Sequence, residues 1–410
     1  MFNTVNEGIA WIESQIRFRP KTSLDPMRKA FVLMSISLSN TKKIHVTGTN
    51  GKGSVCMYLT SILLHQGLKV GTYTSPYLVM FNERIMLNGH PIDDNTLLNY
   101  INEVYELSVL YQETYQETLS FFELMTLMAM KYFHDNQVDV MIMEVGIGGL
   151  LDATNILNYD VSLITNVGMD HMKQLGNTLE SIAGNKLGIL KSGNHLITTI
   201  QPELHEQVRK HANQVGATFD IIDTNQIKTL SEIPHTIEYQ HEAYHLSLLG
   251  HYQKDNAVLA LKAAQYLYPN MDLKMVKEAF GKTNHPGRLE YISNHIIIDG
   301  AHNTHAIDAL IESIQTTFKK YHIHVLFASL ADKEPETMIK RLKPYVSSIV
   351  TTAFPDPRYV NLSTLGFTHF NDPKEALMYM IGNKGDDDII LITGSLHFIG
   401  YMKKEILPQL

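Results

Sequence analysis

The segment that most constrains the fold is a strand, a glycine-rich turn and a helix near the start of the chain. It reads KIHVTGTNGKGSVCMYLTSILLHQG, and apolar residues recur at helical spacing after the turn. In such a loop, successive backbone N–H groups and the helix N-terminus can hold a phosphate, and a lysine can neutralise its charge. The positions for these roles are Gly51, Lys52, Gly53 and Ser54. The segment therefore predicts a nucleotide site, and an ordinary strand–turn–helix junction is the alternative.

The loop departs from two well-known phosphate-binding patterns. The strict pattern G-x-x-x-x-G-K-[ST] fails at Val46, which replaces the first glycine, and at Gly53, which delays the serine to Ser54. The spacing G-x-x-G-x-G also differs from the dinucleotide fingerprint G-x-G-x-x-G. The loop is therefore a variant whose class must be decided from the rest of the chain.

The remaining sequence alternates short apolar runs with helical patterns. Runs such as KIHVT, QVDVMIMEV and DVSLITNV are typical of strands buried on both faces, so we predict an α/β fold with a mostly parallel sheet and crossover helices. The stretch HTIEYQHEAYHLSLLG predicts an antiparallel hairpin at an edge of that sheet. We expect a P-loop domain over residues 1–286, a linker over 287–294 that is rich in turn residues, and a smaller α/β C-terminal domain over 295–410.

Composition limits the class of protein. The 410 residues carry a formal net charge of −8, which argues against a broad basic face for nucleic acid. A single cysteine, Cys56, excludes an intrachain disulfide, and we expect it to be a core residue. The N-terminus does not read as a signal peptide, and no stretch has the length of a membrane span. We expect a cytoplasmic monomer that acts on small molecules, without nucleic-acid or membrane partners.

The loop GTNGKGS resembles that of the Mur ligase superfamily, whose members join an amino acid to a carboxylate with ATP. Its G-K-G-S ending resembles the folate branch, folylpolyglutamate synthase, often combined in bacteria with dihydrofolate synthase. Because the loop starts at residue 48, we expect no preceding UDP-sugar-binding domain, which argues against a muramyl ligase. Eleven further segments resemble that branch in the same order: YTSPYL, FNERIMLNGHPI, SFFE, EVGIGGLLDATN, ITNVGMDHMKQLGNT, IAGNKLGILK, GHYQKDNA, HPGRLE, IIDGAHN, LADKE and ITGSLHFIG.

Candidate metal ligands follow three of the predicted strands. They are Ser75, Glu144 and His171, and the carboxyl ends of parallel strands face one ligand crevice. Taken singly, a glutamate there can be a solvated cap and a histidine can be structural. The resemblance implies that these three residues bind magnesium, with two ions expected, and that Lys186 is carbamylated and acts as a further ligand.

The resemblance also implies the remaining site residues. Lys52, Lys186, Asp299 and His302 are expected to be catalytic. ATP would contact the loop, Asn256, Arg288 and Asp299. The incoming glutamate would be bound by Arg84, His302 and Ser395, with Asp299 shared between the two substrates. Phe121 and Phe122 are candidates for stacking on a pterin, although core packing is the simpler interpretation of two adjacent phenylalanines.

The expected reaction is amide formation through an acyl phosphate on a folate carboxylate, and closure of the two domains should be needed for turnover. Two alternatives stay open: an amide ligase for another carboxylate, and a non-catalytic nucleotide-binding paralogue. Five positions depart from the commonest family pattern and leave the preferred substrate open: Tyr77, Leu150, Asn185, Leu187 and Tyr252.

Overall fold

Eight strands in the first part of the chain form a mostly parallel sheet. Six parallel strands lie in the order β2-β5-β1-β6-β7-β8, and β3 and β4 extend the β2 edge in antiparallel fashion. The strands are β1 (Lys42–Thr47), β2 (Val70–Tyr73), β3 (Ile85–Leu87), β4 (His90–Pro91), β5 (Val140–Glu144), β6 (Val161–Ile164), β7 (His195–Thr198) and β8 (Thr218–Ile221). This confirms the predicted α/β class with a parallel sheet.

The computed structural model describes residues 1–17 and 22–409, which divide into two units. The first unit comprises Met1–Thr224 and Asp255–Phe280, and the second comprises Asn225–Lys254 and the chain from Gly281 onward. Helices lying wholly or mainly in the first unit are α1 (Val5–Ser14), α2 (Asp25–Leu33), α3 (Lys52–His65), α4 (Asp94–Tyr115), α5 (Phe121–Asp135), α6 (Met172–Leu175), α7 (Leu179–Leu187), α8 (His205–Val215), α9 (Gln253–Leu267) and α10 (Leu273–Lys282).

Helix α5 shows why the first unit folds as it does. Its sequence FFELMTLMAMKYFHD is apolar on most sides, and it belongs to a large core cluster that also includes residues of α4 and β5. At its start, the carboxylate of Glu123 accepts hydrogen bonds from the backbone N–H and the hydroxyl of Ser120, both at 2.8 Å. This closes the first helical turn, because a backbone N–H at the start of a helix has no partner within the helix. The position of Phe121 and Phe122 is thereby fixed.

The second unit contains two sheets. An antiparallel sheet has the order β11-β10-β9, and a six-stranded sheet has the order β12-β13-β17-β14-β15-β16, in which only the β12–β13 pair is antiparallel. The strands are β9 (Lys228–Ser231), β10 (Thr236–Tyr239), β11 (Glu242–His245), β12 (Glu290–Ser293), β13 (Ile296–Ile298), β14 (His322–Phe327), β15 (Ser348–Thr352), β16 (Thr368–Phe370) and β17 (Asp388–Thr393), and the helices are α11 (Thr304–Thr316), α12 (Pro335–Leu342), α13 (Pro373–Gly382) and α14 (Leu396–Tyr401).

Single helical turns complete the described chain. The short 3₁₀ helices are Phe81–Arg84, Ala153–Ile156, Pro202–Leu204, Thr224–Gln226, Lys343–Tyr345, Ser363–Leu365 and Leu407–Gln409, and Met402–Ile406 is a π-helical turn. Among the described residues, no helix combines the length and the apolar character needed to cross a bilayer.

The units differ from the predicted domain bounds in two respects. The expected edge hairpin is part of the three-stranded sheet β9–β11, and that sheet belongs to the second unit. The expected linker 287–294 contains β12, which pairs with β13. Residues Glu290–Ser293 alternate between partly buried and exposed, as an edge strand does. The neighbouring proline and glycine directly precede this strand.

Candidate active site

The glycine loop follows β1 and leads into α3. Gly51 adopts a left-handed conformation with φ of 84°, and a Cβ atom there would lie 2.5 Å from Oδ1 of Asn256. Only glycine fits this position without displacing the asparagine. Lys52 folds back over the loop, and its Nζ donates to the carbonyl oxygens of Gly48 and Thr49 at 3.1 and 3.2 Å. Asn256, predicted to contact ATP, thus lies against the loop itself.

Residues after β6 hold the loop in place. The hydroxyl of Thr165 donates to the carbonyl of Asn50 at 2.5 Å, and Oδ1 of Asn166 accepts from the backbone N–H of Asn50 at 3.0 Å. The hydroxyl of Thr49 donates to the carbonyl of Gly168 and accepts from its N–H. These bonds fix the loop backbone before any ligand binds, which lowers the entropy cost of binding a phosphate.

The predicted metal ligands follow neighbouring strands. Because β2, β5, β1 and β6 are adjacent and parallel, their carboxyl ends meet at one edge of the sheet. There the backbone N–H of Ser75 donates to Oε2 of Glu144 at 2.9 Å, and the Glu144 side chain is buried. The pKa of the Cys56 thiol is raised well above its usual value, mainly by burial and then by the charge of Glu144, while Lys52 lowers it. Glu144 and Lys52 are therefore both close to Cys56, a buried core residue as predicted.

Lys186 is buried near the same loop. It lies on α7 with 2% of its surface exposed, and its Nζ makes no hydrogen bond within residues 1–17 and 22–409. Its pKa is lowered to about 7, mainly by burial and then by the charge of Lys52, while Asp170 acts in the opposite direction. His171 follows Asp170 with a left-handed backbone (φ of 50°) and is the N-cap residue of α6.

The turn GIGGLLDATN packs on α7. One carboxylate oxygen of Asp152 accepts from the backbone N–H groups of Gly146 and Ile147 at 3.1 and 3.2 Å. A Cβ atom on Gly149 would come 3.0 Å from the carbonyl of Lys186, so the turn and the lysine helix are in close contact. Two of the departures from the family pattern also lie here: Leu150 is 48% exposed, and Leu187 is fully buried in the core.

Arg84 lies in an aromatic environment in the first unit. Its guanidinium carbon is 5.0, 5.7 and 5.3 Å from the ring centres of Tyr77, Phe81 and Phe121. Burial lowers its pKa, and its Nε has no hydrogen-bond partner among the described residues. A buried cation without a counter-charge is costly, so this group suits an anionic ligand.

The predicted pterin-stacking pair is mostly engaged in packing. Phe121 is a buried member of the core cluster and packs edge-on against Phe81. Phe122 is partly buried, lies 5.8 Å from the ring of Tyr73 and covers the Cα of Gly146. Its partial exposure leaves Phe122 as the better candidate for contact with a ligand.

In the second unit, the predicted residues follow the neighbouring strands β13 and β17. Asp299 is buried and accepts from the backbone N–H groups of Leu289 at 3.0 Å and Ala301 at 2.9 Å. Burial raises its pKa, whereas the charge of Arg288 and the hydrogen bonds act to lower it. Nη1 of Arg288 lies 3.0 Å from where a Cβ of Gly300 would be, so the guanidinium rests on that glycine.

His302 and Ser395 complete this group of residues. Nδ1 of His302 donates to the carbonyl of Gly300 at 2.8 Å, which fixes the orientation of the ring. The hydroxyl of Ser395 accepts from the backbone N–H of His397 at 3.2 Å and so caps its own helix. Because β13 and β17 pair in parallel, Asp299 and Ser395 lie at the same edge of the sheet.

Comparison with known proteins identifies the family of the chain. The Mur ligase middle domain model matches residues 46–264, and the Mur ligase glutamate ligase domain model matches residues 287–396. A Bacillus subtilis protein named dihydrofolate synthase/folylpolyglutamate synthase is 34% identical over 430 residues, which covers 99% of this chain and 100% of the relative. The chain belongs to the folylpolyglutamate synthase/dihydrofolate synthase family.

Solved structures of this family are similar over nearly the whole chain. The apo form of the Lacticaseibacillus casei folylpolyglutamate synthase has a TM-score of 0.86 at 30% identity, covering 98% of this chain and 100% of that one. Escherichia coli FolC in complex with DHPP and ADP has a TM-score of 0.87 at 26% identity, covering 98% and 97%. The resemblance seen in the motifs is thus confirmed at the level of the family and the fold.

The sequence motifs did not single out several residues that shape the glycine loop and its surroundings. They are Thr165 and Asn166, which hold the glycine loop, Asp152, which holds the adjoining turn, and Asp170, which acts on Lys186. All four directly follow apolar strands or turns within the motifs already recognised. A polar residue at such a place is the signal that could have indicated them.

Proposed function

We propose that this chain is an ATP-dependent ligase that adds L-glutamate to the γ-carboxylate of a reduced folate. The observation that carries the proposal is the group formed by Lys52, Glu144 and Lys186 around the preorganised glycine loop. A buried carboxylate, a loop-bound lysine and a second buried lysine form an arrangement suited to phosphoryl transfer, in which positioning and charge supply most of the catalysis.

ATP binding is assigned to the loop residues and to Asn256, Arg288 and Asp299. Gly51, Gly53 and Ser54 would offer backbone N–H groups and a hydroxyl to the phosphates, and Lys52 would neutralise their charge. A Mycobacterium tuberculosis folylpolyglutamate synthase, 27% identical to this chain, is known in complex with ADP. That complex supports a nucleotide site in the corresponding fold.

The residues at the loop fit a divalent metal, with magnesium as the expected ion. Glu144 and His171 would supply two ligands of ordinary type and Ser75 a hydroxyl, whereas no group of three His, Cys, Asp or Glu side chains that could hold a metal occurs in the described parts of the chain. A carbamate on Lys186 would supply the missing anionic ligand. When bound, two such ions would neutralise charge on the ATP phosphates.

Carbamylation suits the environment of Lys186. A carbamate forms from a neutral amine and dissolved carbon dioxide, and a pKa of about 7 leaves a large neutral fraction at neutral pH. The modification also converts the repulsion between two lysines into an attraction between Lys52 and a carboxylate-like group. Both effects favour the modified form.

The reaction then proceeds in two steps. A carboxylate oxygen of the folate attacks the γ-phosphorus of ATP, ADP leaves, and an acyl phosphate forms. The amino group of glutamate attacks the carbonyl carbon, the phosphate departs with the C–O bonding electrons, and the amine loses a proton. In this assignment Arg84, His302 and Ser395 bind the carboxylates of glutamate, and Phe122, with Phe121, contacts the pterin.

A second candidate substrate is dihydropteroate, which would make the chain a dihydrofolate synthase as well. It is favoured because the Bacillus subtilis relative carries both names and because E. coli FolC was solved with DHPP. We further expect a cytoplasmic monomer.

The test is ATP-dependent incorporation of labelled glutamate, with tetrahydrofolate and with dihydropteroate as acceptors, in the presence of magnesium and bicarbonate. We expect glutamate-dependent release of phosphate with tetrahydrofolate, and its loss in the Lys52→Ala control. A wild-type protein that binds ATP yet releases no phosphate with either acceptor would be a non-catalytic paralogue. Turnover with a different carboxylate alone would identify another amide ligase.

A further inference from the structure

The side chain of Tyr252 reaches the buried carboxylate of Asp299. Three groups donate to this carboxylate: the hydroxyl of Tyr252 and the backbone N–H groups of Leu289 and Ala301. Leu289 directly follows Arg288, and Ala301 directly precedes His302. One carboxylate therefore joins the segments that carry two of the proposed substrate-binding side chains.

Gly250 explains how the tyrosine reaches this position. Its backbone is left-handed (φ of +105°), and a Cβ there would lie 2.9 Å from both Cε1 of Tyr252 and Cδ1 of Leu289. The tyrosine ring and the leucine side chain thus both pack on the bare backbone of one glycine. Both also pack in the apolar core of the second unit, with Leu289 only 2% exposed. The ring is therefore held by packing, so its hydroxyl has a defined direction.

We infer that Tyr252 is a positioning residue for the ligation reaction. Its hydroxyl orients the carboxylate of Asp299, and that carboxylate fixes the backbone beside Arg288 and beside His302. The inference rests on the proposed function. Asp299 matters for ligation only if the side chains of Arg288 and His302 bind the substrates assigned to them. It also accounts for Tyr252 at a position where the family often has histidine. The hydroxyl of tyrosine and a ring N–H of histidine can each donate a hydrogen bond.

The same contact predicts a pH signature. Arg288 is the charge that acts on Asp299, and the titratable or charged side chains on the adjoining segments include His302, His251 and Glu290, which is ion-paired with Lys403. Burial raises the pKa of Asp299, and the hydrogen bond from Tyr252 is one of the contacts that oppose this effect. Removing the hydroxyl should therefore raise the pKa of Asp299 further, so that the carboxylate loses its proton only at a higher pH.

The experiment compares Tyr252→Phe with the wild type, with Tyr252→His as the conservative variant and Tyr345→Phe as the matched control. Tyr345 is 43% exposed in the same unit. For Tyr252→Phe, the acid limb of kcat/KM for glutamate should move up by about one pH unit, as expected for loss of one hydrogen bond to a charged group. Tyr252→His should restore much of the shift, and Tyr345→Phe should show none. Dependence of the Lys186 carbamate on pH affects all four proteins alike.

Thermal unfolding supplies a measurement independent of turnover. The Tm deficit of Tyr252→Phe should grow as the pH is raised through the range in which Asp299 ionises, because the lost bond is strongest to the charged carboxylate. Coincident acid limbs, or a Tm deficit that is the same at every pH, would overturn the inference. A wild type without ligation activity would refute the proposed function instead, and the unfolding series would still decide whether Tyr252 holds Asp299.

Discussion

Replacing Lys186 with methionine should stabilise the protein while abolishing ligation. Methionine has a similar length and no charge, and the lysine is buried at 2% exposure without a hydrogen bond from Nζ in the described parts of the chain. In the absence of carbon dioxide and metal, the ammonium group is therefore a cost to the folded state. The same side chain is expected to be essential once it is carbamylated.

The magnitude follows from the pKa. A decrease from 10.5 to about 7 is about 3.5 units, which at 1.36 kcal/mol each sets an upper limit of about 5 kcal/mol on the cost below pH 7. Between pH 7 and 10.5 the folded state binds fewer protons than the unfolded state, so wild-type stability rises there with pH, by about 1.4 kcal/mol per unit. The advantage of Lys186→Met should therefore fall from about 5 kcal/mol at pH 6 to about 3 at pH 8.5.

Urea unfolding at pH 6 and pH 8.5 measures this difference. The single tryptophan, Trp11, lies in the first unit with Lys186, so its fluorescence reports on the relevant part of the fold. Buffers should be free of carbon dioxide and contain a chelator. The reasoning is wrong if Lys186→Met is less stable than the wild type at pH 6, or if its advantage is equal at both pH values.

Lys191 provides the matched control for this substitution. Its pKa is also lowered, to about 8 and mainly by burial, but its Nζ donates to the carbonyl oxygens of Asn155 and Leu157, both at 2.7 Å. Lys191→Met would leave these two carbonyls without their donor, which costs about 1–3 kcal/mol for each buried group. We therefore expect this variant to be less stable than the wild type. Opposite signs for the two lysines would show that hydrogen bonding, and not burial alone, decides the outcome.

Three further substitutions test the site, and a fourth, Gly67→Ala, serves as the control for one of them. Lys52→Ala should leave the fold intact and raise the barrier to ligation by about 2–4 kcal/mol, measured as kcat/KM, and near wild-type turnover would remove the loop from the ATP site. Gly48→Ala should lower stability by about 1–3 kcal/mol and weaken binding of an ATP analogue, because its Cβ would lie 1.8 Å from Oγ1 of Thr165. Gly67→Ala, where the added Cβ meets no atom within 4 Å, should cost about 1 kcal/mol of backbone strain and leave ATP-analogue binding unchanged in calorimetry. His302→Ala should raise the KM for glutamate about tenfold with little effect on ATP-analogue binding, and an equal loss of both would contradict its assignment.

The parallel sheet and several strand ends were predictable because they depend on local patterns. Continuous apolar runs such as VMIME indicated a strand buried on both faces, and the last residue of that run is Glu144. The contact between Glu144 and Ser75 follows once β2 and β5 are neighbours. The boundary between the units was less predictable. Strands β9–β11 belong to the second unit, although the residues that follow them in sequence, Asp255–Phe280, belong to the first.

The finer geometry of the site depends on contacts between distant residues. Nothing local indicates that Asn256 lies against Gly51, or that Arg84 lies among three aromatic rings. The same holds for Lys186, because a lysine on a helix is exposed in most proteins, whereas here α7 packs against the GIGG turn and the lysine is buried. The residue assignments taken from motifs stay predictions until ligands are bound.

Three site cations of the first unit share a property that explains how a chain of net charge −8 can bind anionic substrates. Lys52 donates to loop carbonyls, Arg84 lies among aromatic rings, and Lys186 makes no hydrogen bond through Nζ; in the described residues none of them forms an ion pair with a carboxylate. Surface cations such as Lys131 do pair with carboxylates. An anion that binds at the site therefore gains attraction without first breaking a salt bridge. Because such a ligand binds only the folded state, an ATP analogue should raise the Tm of the wild type by more than that of Lys52→Ala.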